Sequence, residues 1–232
     1  MISNSQSDLR SVGTETVAWL EAARLPVPSV YLLKSRFQRV LLPVVRVLFG
    51  FGITANQVTI FAGALSVGFG LLLGWQLQSN LLLLLLPLIL FARMTLNAMD
   101  GMLARGFGQK SDLGAYLNEL GDVISDVSLY CPLVYLPGLD ARWMVAVILL
   151  AVVSEMAGVM AVMVGAGRRY DGPMGKSDRA FVFGALAFWL GLRWSFPRWA
   201  ACWFPRLMCV LLVATVVNRV RNGLAEKEIV HG

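Results

Sequence analysis

Six apolar stretches, each of a length that can cross a lipid bilayer, follow one another along this sequence. A transmembrane helix needs about 20 mostly apolar residues. Hydrophobic residues make up 57% of the 232 residues and charged residues only 15%, against roughly 25% in an average globular chain. The chain is therefore predicted to be an all-α integral membrane protein, a six-transmembrane-helix bundle. The predicted spans are residues 57–77, 81–104, 113–137, 142–166, 179–196 and 199–219.

The residues before the first span are amphipathic instead of continuously apolar. Between Thr14 and Phe49, apolar side chains alternate with arginines and lysines. This pattern predicts one or two juxtamembrane helices on the membrane surface, interrupted near Pro26 and Pro28. A segment that only packs on the bundle is the alternative interpretation. The predicted organisation is a juxtamembrane segment 1–50, a membrane domain 51–222 and a short tail 223–232.

Loop charges predict the orientation of the bundle. Fifteen of the twenty Lys and Arg residues fall on one side of the predicted spans, and four fall on the other. Because basic loops stay on the cytoplasmic side, both termini are predicted to be cytoplasmic. The net charge of +6 then reflects this bias and contact with anionic headgroups, and nucleic acid is not a predicted partner.

Histidine and cysteine are too few and too scattered for several common enzyme classes. His231, next to the terminus, is the only histidine, and the three cysteines lie in apolar stretches without paired spacing. Ser-His triads and zinc sites both need such residues inside the fold. The sequence therefore disfavours a serine hydrolase and a zinc enzyme.

Acidic and amide side chains cluster at the adjoining ends of the second and third spans. Asn97 and Asp100 are three residues apart, and Asn118, Asp122 and Asp126 are four apart, so each set shares a helix face. The polar turn between the two spans is short, so the helices are predicted to be antiparallel neighbours. Ionisable groups in apolar helices are costly and usually functional.

Several carboxylates in a low dielectric stay charged only if a cation compensates them. Oxygen ligands without nearby histidine or cysteine favour a hard divalent ion, which also binds phosphate oxygens and stabilises a pyrophosphate during cleavage. Gly101 and Gly114 allow a bulky ligand to approach the backbone, and Arg105 offers a bidentate guanidinium. A structural acid cluster paired with Arg93 or Arg105 is the alternative interpretation.

At these residues the sequence resembles the signature of the CDP-alcohol phosphatidyltransferase family (class I), D-x2-D-G-x2-A-R-x8-G-x3-D-x3-D. Asn97 and Asn118 stand where the family has aspartates, and the other six of the eight defined positions match without a change in spacing. Within the family the chain resembles a bacterial YnbA-like branch that shares this asparagine pattern. The matching positions are Asp100, Gly101, Ala104, Arg105, Gly114 and Asp122.

The resemblance implies a reaction and roles for these residues. Family members bind one or two Mg²⁺ (or Mn²⁺) ions that hold the CDP diphosphate, and the acceptor hydroxyl attacks the lipid-side phosphorus and expels CMP. Carried over, the implied metal ligands are Asp100 and Asp122 together with Asn97 and Asn118, and Asp122 is also the implied general base. The residues implied to shape the CDP pocket are Gly101, Ala104, Arg105 and Gly114.

Two further segments resemble family features. The stretch 54–59, Thr-Ala-Asn-Gln-Val-Thr, resembles a P-N-x-x-T motif with alanine in place of proline. It implies that Asn56 and Thr59 contact the nucleotide, although a helix cap and a turn explain them equally well. The basic loop 168–179 resembles one that seats the acceptor's phosphate, so Lys176 and Arg179 are implied acceptor contacts, with positive-inside bias as the alternative.

The two asparagines leave the signature with two formal negative charges instead of four. Two divalent ions would then be under-neutralised by about two charges. Three outcomes are open: one tight ion with a second arriving on the nucleotide, recruitment of Glu119, or loss of activity. A shifted motif, with Asp122 and Asp126 as the pair, would move the base by roughly 5 Å, and the assignment in register is preferred. Glu155, in the fourth span, is interpreted as a buried partner for a cation.

The predicted function is metal-dependent transfer of a phosphatidyl group from CDP-diacylglycerol to a small polar alcohol in a bacterial inner membrane, with the active site on the cytoplasmic side. The basic loop favours a phosphorylated acceptor. One alternative uses a soluble CDP-alcohol donor and a diacylglycerol acceptor, and another is a non-catalytic membrane relative that binds the nucleotide-lipid. The family resemblance also implies a homodimer.

Overall fold

The computed structural model describes residues 29–76, 79–136, 138–195 and 197–231. These residues form seven α-helices and two short 3-10 helices, with no strand among them, so the all-α prediction is confirmed for this part of the chain. The 3-10 helices Cys131–Tyr135 and Ala161–Val164 follow the fourth and fifth α-helices directly. The α-helices are α1 (Ser29–Gly50), α2 (Ala55–Trp75), α3 (Asn80–Gly106), α4 (Asp112–Tyr130), α5 (Ala141–Met160), α6 (Lys176–Gly191) and α7 (Arg198–His231).

Four of the six predicted spans are confirmed as helices that are long and apolar enough to cross a membrane. They are α2, α3, α5 with its 3-10 extension, and α7 as far as Glu226. Only 28–39% of the residues in their apolar windows are buried inside the protein, so most of these side chains face outward, as they do in lipid. The other two predicted spans correspond to α4 and α6. Acidic residues lower the hydropathy of α4, and α6 has only 16 residues.

Polar caps determine where two helices of the site begin. Thr54 and Gln57 form a capping box at the start of α2: Thr54 Oγ1 accepts from Gln57 N at 3.3 Å, and Gln57 Oε1 accepts from Thr54 N at 2.9 Å. Ser111 Oγ accepts from Gly114 N at 3.0 Å and so caps α4. The cap of α2 therefore belongs to Thr54, which leaves Asn56 and Thr59 for other contacts.

The structure near the two ends of the chain can be compared with the predictions for the C-terminal tail and for the juxtamembrane segment. Helix α7 continues to His231, so the predicted tail 223–232 is helical almost to its end. Alanine, glutamate and lysine at 225–228 have high helix propensity and extend the helix past the last span. At the other end, α1 is helical as predicted, whereas the predicted break near Pro26 and Pro28 lies outside the described residues.

The chain divides into two compact units, and α2, α3 and α4 contribute residues to both. The first unit consists of Met1–Ala62 and Thr95–Asn118, described from residue 29 onward. In its core, Leu41 and Val45 of α1 pack with the start of α2 and the end of α3. Three arginines of α1 are exposed, so this helix is amphipathic as predicted: Arg36, Arg39 and Arg46.

The second unit consists of Gly63–Met94 and Glu119–Gly232. Leucine, methionine and phenylalanine side chains of its helices form one large core, in which the ring of Tyr130 stacks on Phe183 with centroids 4.1 Å apart. A Cβ at Gly70 of α2 would lie 2.2 Å from the carbonyl oxygen of Ser128 in α4. Only glycine allows the two helices to approach this closely.

Candidate active site

The predicted site residues are distributed over both units. The second unit contains Asp122, Lys176 and Arg179. The first unit contains the other nine: Asn56, Thr59, Asn97, Asp100, Gly101, Ala104, Arg105, Gly114 and Asn118.

Asp100 is a buried acid of the first unit, with 5% of its surface exposed. Its Oδ2 accepts a hydrogen bond from Thr59 Oγ1 at 2.7 Å. The same hydroxyl lies 3.1 Å from the carbonyl oxygen of Ala55, so its single proton is directed mainly to the nearer acceptor, the carboxylate. Thr59 therefore orients the Asp100 carboxylate through a neutral donor, and this contact adds no positive charge.

The two signature glycines of the first unit lie against polar side chains. A Cβ at Gly101 would lie 2.7 Å from Nη2 of Arg105, and a Cβ at Gly114 would lie 2.7 Å from Oδ1 of Asn56. Asn56 Nδ2 also donates to Ser111 Oγ at 3.4 Å. The structure thus brings Gly101 together with Arg105, and Gly114 together with Asn56. All four residues were predicted to shape the CDP pocket or to contact the nucleotide.

The remaining predicted residues of the first unit are partly accessible. Asn97 and Asn118 are half-buried, and Arg105 is exposed. Ala104 is half-buried and packs against the core formed by α1, α2 and α3. Its small side chain is consistent with close packing of the helix end at this position.

Asp122 of α4 lies between two cationic side chains in the second unit. It is 6% exposed, and its Oδ2 accepts a hydrogen bond from Lys176 Nζ. Arg93 Nη2 donates to the Asp122 backbone oxygen at 2.9 Å and lies 3.5 Å from Oδ1. The side chain of Arg93 is 1% exposed and that of Lys176 is 25% exposed. Both oxygens of the predicted base are therefore paired with protein cations.

Asp126, one turn further along α4, links Arg93 to a second buried arginine. Its Oδ1 accepts from Arg93 Nη1, and its Oδ2 accepts from Arg179 at 2.7 and 3.1 Å. Arg179 is 0% exposed and also donates to Glu155 at 2.8 Å. The predicted acceptor contact Arg179 thus holds two buried carboxylates and presents no surface to solvent.

The interpretation of Glu155, in α5, as a buried partner for a cation is confirmed. It is 4% exposed, and arginine nitrogens lie 2.8 Å (Arg179), 3.2 Å (Arg168) and 3.4 Å (Arg219) from its carboxylate. Burial of one carboxylate requires such compensation. Arg219 is one of the fifteen basic residues that the sequence assigned to the cytoplasmic side, and it ends the predicted span 199–219. Its position within that apolar span is the signal that points to a buried partner.

Further ion pairs involve Glu119 and the loop after α5. Glu119, one step aside from the acidic stripe, pairs with Arg168 at 2.5 Å. Arg169 donates to Asp171 at 2.6 Å and to Glu226 of α7 at 2.7 Å. The hydrogen bond to Asp171 raises the pKa of Arg169. Partial burial opposes ionisation of Asp171, but the hydrogen bond and charge of Arg169 outweigh it and hold the pKa of Asp171 below its ordinary value.

The four predicted metal ligands are of a chemical type that suits a hard divalent cation. Asp100 and Asp122 offer carboxylates, and Asn97 and Asn118 offer amide carbonyls, all oxygen ligands of the type that Mg²⁺ and Mn²⁺ prefer. Among the described residues, no group of three or more His, Cys, Asp and Glu side chains is arranged to hold a metal. Because two of the four predicted ligands are neutral amides, the set carries less charge than four aspartates would.

Comparisons with known proteins agree with the signature. Residues 52–220 match the family described as CDP-alcohol phosphatidyltransferase. The inner membrane protein YnbA of Escherichia coli K12 is 42% identical over 199 residues, which cover 84% of this chain and 96% of YnbA. The family resemblance predicted from the signature residues, including the likeness to YnbA, is confirmed.

Two crystal structures of Mycobacterium tuberculosis phosphatidylinositol phosphate synthase (PgsA1) are similar in fold. The structure with CDP-DAG bound has a TM-score of 0.61 and 23% identity, and the match covers 82% of this chain and 94% of PgsA1. The structure in complex with manganese and citrate has a TM-score of 0.63 and 22% identity, with 78% and 88% of the two chains covered.

Proposed function

The chain belongs to the CDP-alcohol phosphatidyltransferase family, and we propose that it transfers a phosphatidyl group from CDP-diacylglycerol to a small polar alcohol. The observation that carries the proposal is the family match over 52–220, which includes Asp100, Arg105 and Asp122 at the family's spacing. The CDP-DAG bound to a synthase of similar fold supports the choice of donor.

In the proposed reaction, the acceptor hydroxyl oxygen attacks the lipid-side phosphorus of the donor. The bond between that phosphorus and the bridging oxygen breaks, CMP leaves with the electron pair, and the hydroxyl proton passes to the Asp122 carboxylate. A positioned base contributes about 10²–10⁴-fold to such a step. The hydrogen bond from Arg93 to the Asp122 backbone oxygen, at 2.9 Å, holds the base in position.

Asp100 and Asp122, with Asn97 and Asn118, are the residues proposed to hold Mg²⁺ or Mn²⁺. When bound, such an ion would stabilise negative charge on the diphosphate. The manganese in the second PgsA1 structure supports the use of a divalent metal. Thr59 contributes by orienting the Asp100 carboxylate with its 2.7 Å hydrogen bond.

The nucleotide end of the donor is proposed to lie against the polar residues of the first unit. Arg105 is exposed and lies over Gly101, so its guanidinium can bind phosphate oxygens through two hydrogen bonds. Gly114 lies against the side chain of Asn56, where the lack of a Cβ leaves the amide accessible to a ligand. The proposed nucleotide contacts are Asn56, Thr59, Gly101, Ala104, Arg105 and Gly114.

Lys176 and Arg179 are proposed to serve the acceptor in different ways. Lys176 is partly exposed while it pairs with Asp122, so its ammonium can also approach an acceptor oxygen. Arg179 is fully buried and acts through Asp126, which it shares with Arg93. A partly exposed cation beside the proposed base favours a phosphorylated alcohol such as glycerol 3-phosphate.

The proposed topology has six spans, with α4 and α6 crossing beside the four apolar helices. Asp122 and Asp126 of α4 and Arg179 of α6 are buried in the second unit, as polar side chains of membrane helices are when they face other helices. The basic loops support a cytoplasmic site and cytoplasmic termini in a bacterial inner membrane. A homodimer is proposed from the family resemblance.

The proposed function is tested with the purified protein in lipid nanodiscs. Labelled CDP-diacylglycerol is incubated with a panel of polar alcohols, including glycerol 3-phosphate, with and without Mg²⁺, and CMP and the lipid product are measured. We expect CMP release that requires one alcohol and Mg²⁺. A matched incubation with soluble CDP-alcohols and diacylglycerol tests the reversed partners, and product formed only there would contradict the proposed donor.

A second candidate function is binding of the nucleotide-lipid without turnover. Asn97 and Asn118 favour it, because they remove two of the four family aspartates. The two candidates differ in the same assay: retention of labelled CDP-diacylglycerol without CMP release from any alcohol would support binding alone.

A further inference from the structure

We propose that Lys176 supplies, at the Asp122 carboxylate, the positive charge that a second divalent ion would supply in a site of four aspartates, so that each chain binds one divalent ion. The inference rests on the proposed function and deepens it, because it concerns how many ions the same site takes. It is carried by the contact of Lys176 Nζ with Asp122 Oδ2 and by the two asparagines of the signature.

The contact between Lys176 and Asp122 is one of two parallel ion pairs between α6 and α4. Lys176 and Arg179 are three residues apart on α6, and Asp122 and Asp126 are four apart on α4, so each pair of residues shares a helix face. Lys176 meets Asp122, and Arg179 meets Asp126 at 2.7 Å. Because Arg179 is fully buried, the second pair fixes the register in which the first one forms.

The backbone next to Lys176 is also held in place. Met174 N donates to Thr215 Oγ1 at 3.0 Å, which ties the preceding loop to α7. Gly175 N donates to Asp178 Oδ2 at 2.9 Å, which caps the start of α6. Lys176 is the first residue of this capped helix, so its side chain starts from a fixed point and reaches Asp122 with little loss of backbone freedom.

The other cation at Asp122 is Arg93, which also forms an ion pair with a second carboxylate. Arg93 pairs with Asp126 through Nη1 and lies 3.5 Å from Asp122 Oδ1, so it is shared between two carboxylates. Lys176 has no second ion pair among the described residues. A lysine ammonium is a compact point charge, and it is therefore the closer substitute for a metal ion at this carboxylate.

The formal charges leave no room for a second ion. Four aspartates balance two divalent ions, whereas the two negative charges of Asp100 and Asp122 balance only one, even before Lys176 offsets part of them. A second divalent ion would then face strong like-charge repulsion that nothing in this set compensates. Glu119 does not restore the missing charge, because Arg168 holds it at 2.5 Å.

Mn²⁺ binding to the detergent-purified protein, without nucleotide, tests the inference independently of turnover. Free Mn²⁺ is titrated by electron paramagnetic resonance, and we expect one Mn²⁺ per parent chain with no spin coupling between ions. In the variant Asn97→Asp/Asn118→Asp/Lys176→Gln we expect two coupled Mn²⁺ ions. Two coupled ions in the parent would overturn the inference, whether or not the triple variant folds.

Single variants refine the test. Lys176→Gln should bind its Mn²⁺ about tenfold more tightly, because a positive charge next to the ligand is removed, and Lys176→Arg should bind as the parent does. Lys110→Gln, the same change at an exposed loop lysine, is the matched control and should have no effect. Equal affinities of Lys176→Gln and Lys110→Gln would overturn the inference.

Mn²⁺ binding tests the charge assignment of Lys176, whereas CMP release tests the proposed function. A parent chain that binds one Mn²⁺ but releases no CMP with any acceptor contradicts the function and leaves the charge assignment standing. A parent chain that releases CMP and binds two coupled Mn²⁺ ions contradicts the assignment of Lys176 alone.

Discussion

Asp100 and Asp122, the two aspartates of the signature, are both buried, and each accepts a hydrogen bond from a different kind of donor. Asp100 accepts a hydrogen bond from the neutral Thr59 hydroxyl at 2.7 Å. Asp122 is paired with Lys176 and with Arg93. A neutral donor orients a carboxylate without cancelling its charge, whereas a cation orients it and cancels part of the charge.

The difference agrees with the separate roles proposed for the two acids. The contact of Asp100 with Thr59 adds no positive charge, so we expect Asp100 to contribute more to binding of a metal ion than Asp122 does. Asp122 is held by protein cations in a fixed orientation, as a base that must meet one hydroxyl requires. Four substitutions, from the largest expected effect to the smallest, test this division.

Replacement of Asp122 by asparagine should have the largest effect. The amide cannot take the acceptor's proton, so we expect CMP release to fall by about 10³-fold. Mn²⁺ affinity should fall much less, because Asp100 remains. Asp112→Asn, at an exposed position in the first turn of the same helix, is the control. A loss of metal binding as large as the loss of rate would show that Asp122, and not Asp100, anchors the ion.

Replacement of Arg93 by methionine should have the next largest effect, and it acts on stability. It leaves Asp126 with one arginine and removes one of the two cations that pair with Asp122, in a buried site. Removal of one partner from a buried ion pair costs about 3 kcal/mol or more, so we expect the melting temperature in detergent to fall by about 6–12 °C. Arg142→Met, at an exposed arginine, should leave it unchanged. Equal melting temperatures would mean that the network around Asp122 is not rigid.

The sequence predicted the parts of the fold that depend on local composition. The second predicted span, 81–104, corresponds to α3 (Asn80–Gly106), because a long apolar run with a polar end has one stable structure in lipid. The unbroken signature spacing likewise predicted the family that residues 52–220 match. Both results follow from patterns within short stretches of chain.

Contacts between distant helices could not be read from the sequence. Lys176 and Arg179 looked alike as loop cations, yet one is partly exposed and the other fully buried. Arg219 was one of the fifteen basic residues assigned to the cytoplasmic side, although it pairs with Glu155 inside the second unit. Which charges meet depends on helix packing, and helix packing depends on side chains spread over the whole chain.

Replacement of Thr59 by valine should have a smaller effect on the Asp100 side of the comparison. Valine has nearly the same shape but no hydroxyl, so the carboxylate loses the donor that orients it. Loss of a residue that orients a metal ligand lowers metal affinity by about tenfold, which a Mn²⁺ titration measures. Thr59→Ser keeps the hydroxyl and should restore most of the affinity. Equal weakening by valine and serine would show that packing, and not the hydrogen bond, supports Asp100.

Replacement of Asp171 by asparagine, away from both signature acids, should have the smallest effect and a characteristic pH dependence. Arg169 holds the pKa of Asp171 below its ordinary value, so the unfolded chain binds this proton more readily than the folded one. The stabilisation is therefore fully present above the ordinary aspartate pKa of about 3.9 and is lost as the pH falls through the lower, folded-state pKa. At pH 7 we expect the variant to be less stable by about 0.5 kcal/mol, the size typical of a partly exposed ion pair. Unfolding measured from pH 7 to pH 3 should show the two proteins converging at the acid end, and a constant difference across this range would mean that Asp171 acts through packing instead of charge.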